Sequence, residues 1–89
     1  MAVISRRNKN FRNLFSLLPA HIQTLAVKNY RLWKNDPWHP SLHFKPVGGN
    51  DWSVRIGDHY RALSVKRPDG SHLWYWVGTH EACNKLLGR

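Results

Sequence analysis

The stretch SVRIGDHYRALSV, Ser53 to Val65, carries the strongest strand signal in the chain and decides how the rest is read. Two alternating runs flank the corner Gly57-Asp58-His59. In a strand, successive side chains point to opposite faces. Val54 and Ile56 therefore share a face with Trp52, while Ser53 and Arg55 share the other. In the second run Arg61, Leu63 and Val65 lie on one side, and Tyr60, Ala62, Ser64 and Lys66 on the opposite side. A tight corner brings Arg55 and Arg61 close when both project the same way. Two facing guanidiniums repel unless an anion lies between them. Two readings follow: solvated strand arginines, or a phosphate clamp built from arginine's planar fork.

Outward from this hairpin the pattern continues. Strands are expected over Trp52–Ile56 and Tyr60–Lys66, the turn RPDG follows, and HLWYWV makes a third strand, His72–Val77. THEACNKLL reads as a short terminal helix. Upstream, NDPWHPSLHFKPVGGNDW holds three prolines and a Gly-Gly pair, which leaves room for one short strand around Leu42–Val47. Phe11, Leu14, Phe15 and Leu18 recur at helical spacing, from a start near Asn8. Pro19 then suits the first turn of a second helix, whose stripe of Ile22, Leu25, Ala26, Leu32 and Trp33 runs to about Asn35. The expected fold is α+β: an N-terminal helical hairpin packed on one face of a small antiparallel β-sheet, a short C-terminal helix, and one domain over residues 1–89.

The 89 residues carry a formal net charge of +9, which favours polyanions, nucleic acid above all, with an acidic protein second and a membrane surface third. Asp36, Asp51, Asp58 and Asp69 sit beside Pro, Gly or Asn, where aspartate caps turns, and Glu81 opens the last helix. Residues 1–35 contain no acid. No pair of carboxylates is set up for acid–base or metal chemistry. One cysteine, Cys83, rules out an internal disulfide, fits a reducing cytosol and reads as packing. No segment approaches the roughly 18–20 apolar residues of a membrane span. The opening MAVISRRNKNF is too short in apolar residues for a signal peptide.

His39 and His43 are four apart, but Pro40 lies between them and no Glu follows His39, so a helical zinc pair is not expected. His80 follows the last strand, as a cap, a half-buried polar group, or a proton carrier near neutral pH. Trp33, Trp52 and one of Trp74 and Trp76 are expected in the core, with Trp38 exposed.

The hairpin, the proline-rich connector, VRIGDHYRAL and WYWVGTHEACNKLL together resemble the RelE/ParE toxin superfamily of bacterial type II toxin–antitoxin systems. The most specific part is the basic residue on one strand followed by G-x-x-Y-R opening the next. The resemblance implies a toxin held inactive by an antitoxin wrapped over it, and the acid-free, basic hairpin leads us to expect that antitoxin to be acidic. In the RelE-like branch it implies a ribosome-dependent mRNA endoribonuclease that inhibits translation. In the ParE-like branch it implies a DNA gyrase inhibitor, and a catalytically silent nucleic-acid-binding module is a third outcome. Carried over by position, Arg61, His80 and Arg55 are the catalytic candidates and Lys45 an RNA-binding one, and the basic Lys66 and Arg67 are added as further RNA-binding candidates. No metal or other cofactor is implied, and the location is cytoplasmic. Many RNA-cleaving members carry a tyrosine in the C-terminal tail, whereas EACNKLLGR has none: either His80 transfers the proton without it, or the activity is altered.

Overall fold

Asn8 accepts a hydrogen bond from Phe11 N at 2.9 Å and so caps the first helix, α1, Lys9–Ser16. Pro19 precedes the second, α2, Ala20–Asn35, which stops just before Asp36-Pro37, where the residue ahead of proline is pushed out of helical geometry. A 3₁₀ turn at Pro40–Leu42 leads into the strands. These are β2, Lys45–Gly48; β3, Asp51–Ile56; β4, Tyr60–Lys66; and β5, His72–Thr79. A final helix, α3, His80–Leu86, follows directly. The computed structural model describes residues 5–88.

The α+β fold is as expected, with one addition at its edge. Residues Ser5–Arg7 form a strand, β1, which pairs parallel to β5. The sheet order is β1-β5-β4-β3-β2, so four antiparallel strands gain a parallel fifth. The β3–β4 corner turns on a glycine at positive φ. Gly57 has φ 61°, and a Cβ there would stand 3.0 Å from Leu25 Cδ2, so any other residue at this corner is strained and crowds Leu25.

Alternation places Val54, Ile56 and Ala62 under the helical hairpin, where they pack with Ile22, Ala26 and Trp33. A bulge in β5 sets the far part of this core. Leu63 pairs with Trp76 and Ser64 with Trp74, which leaves Tyr75 unopposed. The bulge turns Trp74 and His72 toward the hairpin, and Trp74 is 2% exposed. Trp76 is only half-buried, and a Cβ on Gly78 would meet its ring at 2.8 Å. Trp38 is exposed, as expected, although its ring leans on Phe44 and Trp52. Among the described residues no helix is long and apolar enough to cross a membrane.

His72 is buried in this core among aromatic rings, with Nδ1 2.9 Å from Ser64 Oγ. Burial, and then the nearby Lys66 charge, hold its pKa below the ordinary histidine value. The unfolded chain therefore binds the proton more readily, and acid favours unfolding. Stability should fall as pH drops below about 6.5. Thermal melts across about pH 5 to 7 should show this, and His72→Gln should flatten the slope even if it lowers the melting temperature. An unchanged slope in the variant would remove His72 as the cause.

Candidate active site

The sheet face turned away from the hairpin carries Ser53 and Arg55 of β3 and Arg61 and Leu63 of β4, in the register Arg55↔Arg61 and Ser53↔Leu63. Lys45 of β2 pairs with Ser53 and joins the same face. Helix α3 lies across part of it and buries Cys83. Between helix and sheet is a cavity of about 120 Å³ whose lining includes Lys45, Ser53, Arg61, His80 and Asn84. This face is thus partly roofed rather than open.

The two strand arginines diverge despite their shared register. Strand β2 pairs with β3 no further than Ser53, so Arg55 stands at a free sheet edge and bends around it. Its Nε donates to Gly57 O at 3.0 Å, one Nη is 3.5 Å from Asp58 Oδ1, and the other is 3.3 Å from His43 Nε2. His43 reaches that point from a left-handed backbone conformation, φ 46°. Arg61 lines the cavity, and its guanidinium has no hydrogen bond or ion pair among the described residues. One arginine is committed to the corner. The other is available to an anion.

His80 is the first residue of α3, half-buried, directly after the capping Thr79, whose Oγ1 accepts from Ala82 N at 3.1 Å. Its backbone N donates to His59 O at 2.7 Å, which ties α3 to the β3–β4 corner. Asn84, one helical turn on, places Nδ2 3.3 Å from His80 Nε2. With the amide nitrogen donating, Nε2 is the acceptor and the ring proton sits on Nδ1.

Lys66 and Arg67 are not gathered with these groups. Lys66 ends β4 about 17 Å from Arg61 at strand rise, on the hairpin face, with its ammonium 5.8 Å from the centre of the Trp52 ring. Arg67 starts the β4–β5 turn, where its N donates to Ser71 O at 2.8 Å. Two further cavity residues, Asn84 and Ser53, are not among the candidates that sequence alone supplies. Asn84 is signalled by its i+4 spacing from His80. Ser53 is signalled by its place on the Arg55 face of β3. Ser53 is 1% exposed, and its hydroxyl has no hydrogen-bond partner among the described residues. The described residues bring no three of His, Cys, Asp and Glu together in a metal-binding group.

No protein-family model matches the chain, and no curated protein matches it in sequence. Solved structures do match its fold. The toxin–antitoxin complex RelBE2 from Mycobacterium tuberculosis is similar with a TM-score of 0.72 at 19% identity, over 90% of this chain and 100% of that one. The RelB–RelE antitoxin–toxin complex from Methanococcus jannaschii gives 0.70 at 17% identity, over 90% and 95%. A mutant of E. coli toxin RelE in the free state gives 0.69 at 13% identity, over 92% and 87%. The chain has the RelE toxin fold.

The divergence of the two arginines predicts different costs. Arg55→Ala removes a bond to a backbone carbonyl and should lower stability by about 1 kcal/mol. Arg61→Ala should change it by less than about 0.5 kcal/mol. Urea denaturation of both variants checks this, and equal losses would contradict the separation of roles.

Proposed function

We propose that this chain is a cytoplasmic RelE-like toxin of a type II toxin–antitoxin system, one domain over residues 1–89, and that it cleaves ribosome-bound mRNA. The observation that carries this reading is the meeting of Arg61, Lys45 and His80 around one cavity, on three separate elements of a RelE-type fold. The nucleophile is the RNA's own 2′-hydroxyl, which attacks the adjacent phosphorus and leaves a cyclic phosphate and a free 5′-hydroxyl. Arg61 stabilises the charge that grows on the phosphoryl oxygens. Lys45 holds the phosphate from the β2 side. His80 moves a proton, held in orientation by Asn84. Arg55 supports the corner that presents Arg61, and Lys66 and Arg67 meet the RNA backbone further along the surface. The ribosome positions the message and supplies proximity.

Loss of one transition-state donor costs roughly 10²-fold or more in rate. Arg61→Ala should slow cleavage on that scale in a ribosome assay, and Arg61→Lys should recover only part, since a point charge lacks the fork. A message with hydrogen in place of the 2′-hydroxyl at the cut site should stay intact. Growth arrest with intact mRNA and altered DNA supercoiling would select the gyrase-inhibitor reading instead.

The partner proposed for inhibition is an acidic antitoxin. On the hairpin face a cavity of about 340 Å³ is lined by Phe11, Phe15, Val27 and Tyr30, with Arg7, Arg31 and Lys34 around it. Arg7 and Lys34 stand 5.4 and 5.6 Å from the centre of the Tyr30 ring. Such a surface suits an amphipathic segment with acids beside its apolar residues. Affinity for the antitoxin should drop clearly as salt rises, measured by titration calorimetry. A salt-independent affinity would mean that the apolar lining, and not the basic rim, holds the partner.

A further inference from the structure

We propose that Ser53 is an anion ligand: its hydroxyl donates to an oxyanion held between Arg61 and Lys45, which makes the cavity under α3 a binding site for one phosphate group. The identity of that phosphate as part of RNA rests on the ribonuclease reading; the anion site itself does not.

Ser53 lies inside β3, with Lys45 and Leu63 as its register partners. It is 1% exposed, and its hydroxyl finds no acceptor or donor among the described residues. A buried hydroxyl left unpaired destabilises the fold, and alanine at this position would remove that cost. The groups beside it do not complete it. Lysine and arginine are donors without acceptor capacity, so neither Lys45 nor Arg61 can accept the Ser53 hydroxyl proton. The Asn84 amide is engaged with His80. Donors from three strands thus border one small space, and the complement they lack is an acceptor with several lone pairs and negative charge. The volume of about 120 Å³ has room for a tetrahedral oxyanion. Because β2, β3 and β4 each contribute one group, the donors are held by sheet register rather than by loops, the rigid arrangement that transition-state stabilisation needs.

The test titrates the free protein with inorganic phosphate at fixed ionic strength, followed by amide shifts in ¹H–¹⁵N spectra. Saturable shifts are expected at Ser53 and Arg61. Ser53→Ala should weaken phosphate about tenfold, the worth of one hydrogen bond to a charged acceptor. Its melting temperature should match or exceed that of the parent. Ser53→Cys keeps the side-chain shape with a somewhat larger atom, loses the strong donor, and should weaken phosphate too. Ribosome-bound mRNA cleavage by Ser53→Ala should slow in parallel. Undiminished phosphate affinity in Ser53→Ala, shifts that miss Ser53 and Arg61, or a lowered melting temperature would each overturn the proposal and make the hydroxyl structural. Ser53-dependent phosphate binding in a protein that leaves mRNA intact would uphold the anion site and remove the ribonuclease reading.

Discussion

Trp33 stands edge-on to Trp74, His72 and Phe44, with ring centroids 5.0, 5.4 and 5.5 Å away. These four residues come from α2, from β5 and from the connector before β2. One indole therefore fixes the helical hairpin on the sheet, seats the strand that carries Trp74, and anchors the connector that delivers Lys45. Losing a side chain of this size from a core costs about 3–5 kcal/mol, against a total of about 5–15 kcal/mol for a typical protein. Once the hairpin is held on the Val54 and Ala62 face, Ser53 and Arg61 have to lie on the other. There α3 folds over them and encloses a small polar cavity. The placement of Arg61, Lys45 and Ser53 is thus a consequence of packing on the opposite side of the sheet.

Much of this is readable from residue order. Asn8, the spacing of Phe11 to Leu18, and Pro19 mark the two helices. Alternation gives β4 its bounds and sets Arg55 with Ser53, whereas the observed register is what puts Arg61 on their face. Other features lie beyond local pattern. Ser5–Arg7 is three residues long, shows no alternation, and pairs with a strand near the other end of the chain. The choice between Trp74 and Trp76 for the core is made by the bulge at Tyr75, which simple alternation does not contain. Register makes Arg55 and Arg61 equivalent, but the short β2 leaves an edge around which Arg55 turns to Gly57 and Asp58. Lys66 and Arg67 are marked out by charge, and charge carries no information about which end of a strand faces the site. His80 and Asn84 reach the cavity because α3 folds back, a tertiary event.

The sheet also separates two surfaces of different character. The larger cavity on the hairpin face is apolar with basic residues around it, whereas the cavity under α3 is polar and small. A partner seated on the first face does not touch Arg61. To silence the second it has to extend around an edge of the sheet, which favours a long, extended binding segment over a compact one.

The parallel strand at the sheet edge bears on how such a chain matures. Ser5–Arg7 docks on His72–Trp74, and Asn8 N donates to Trp74 O at 3.0 Å. Synthesis runs from the N-terminus, so β1 waits for every other strand before its neighbour β5 exists. The lining of the polar cavity is equally late, since His80 and Asn84 follow every strand. A nascent chain can form its helical hairpin early yet hold neither a finished sheet nor an assembled cavity. The order of elements thus withholds the assembled site until α3 has been made.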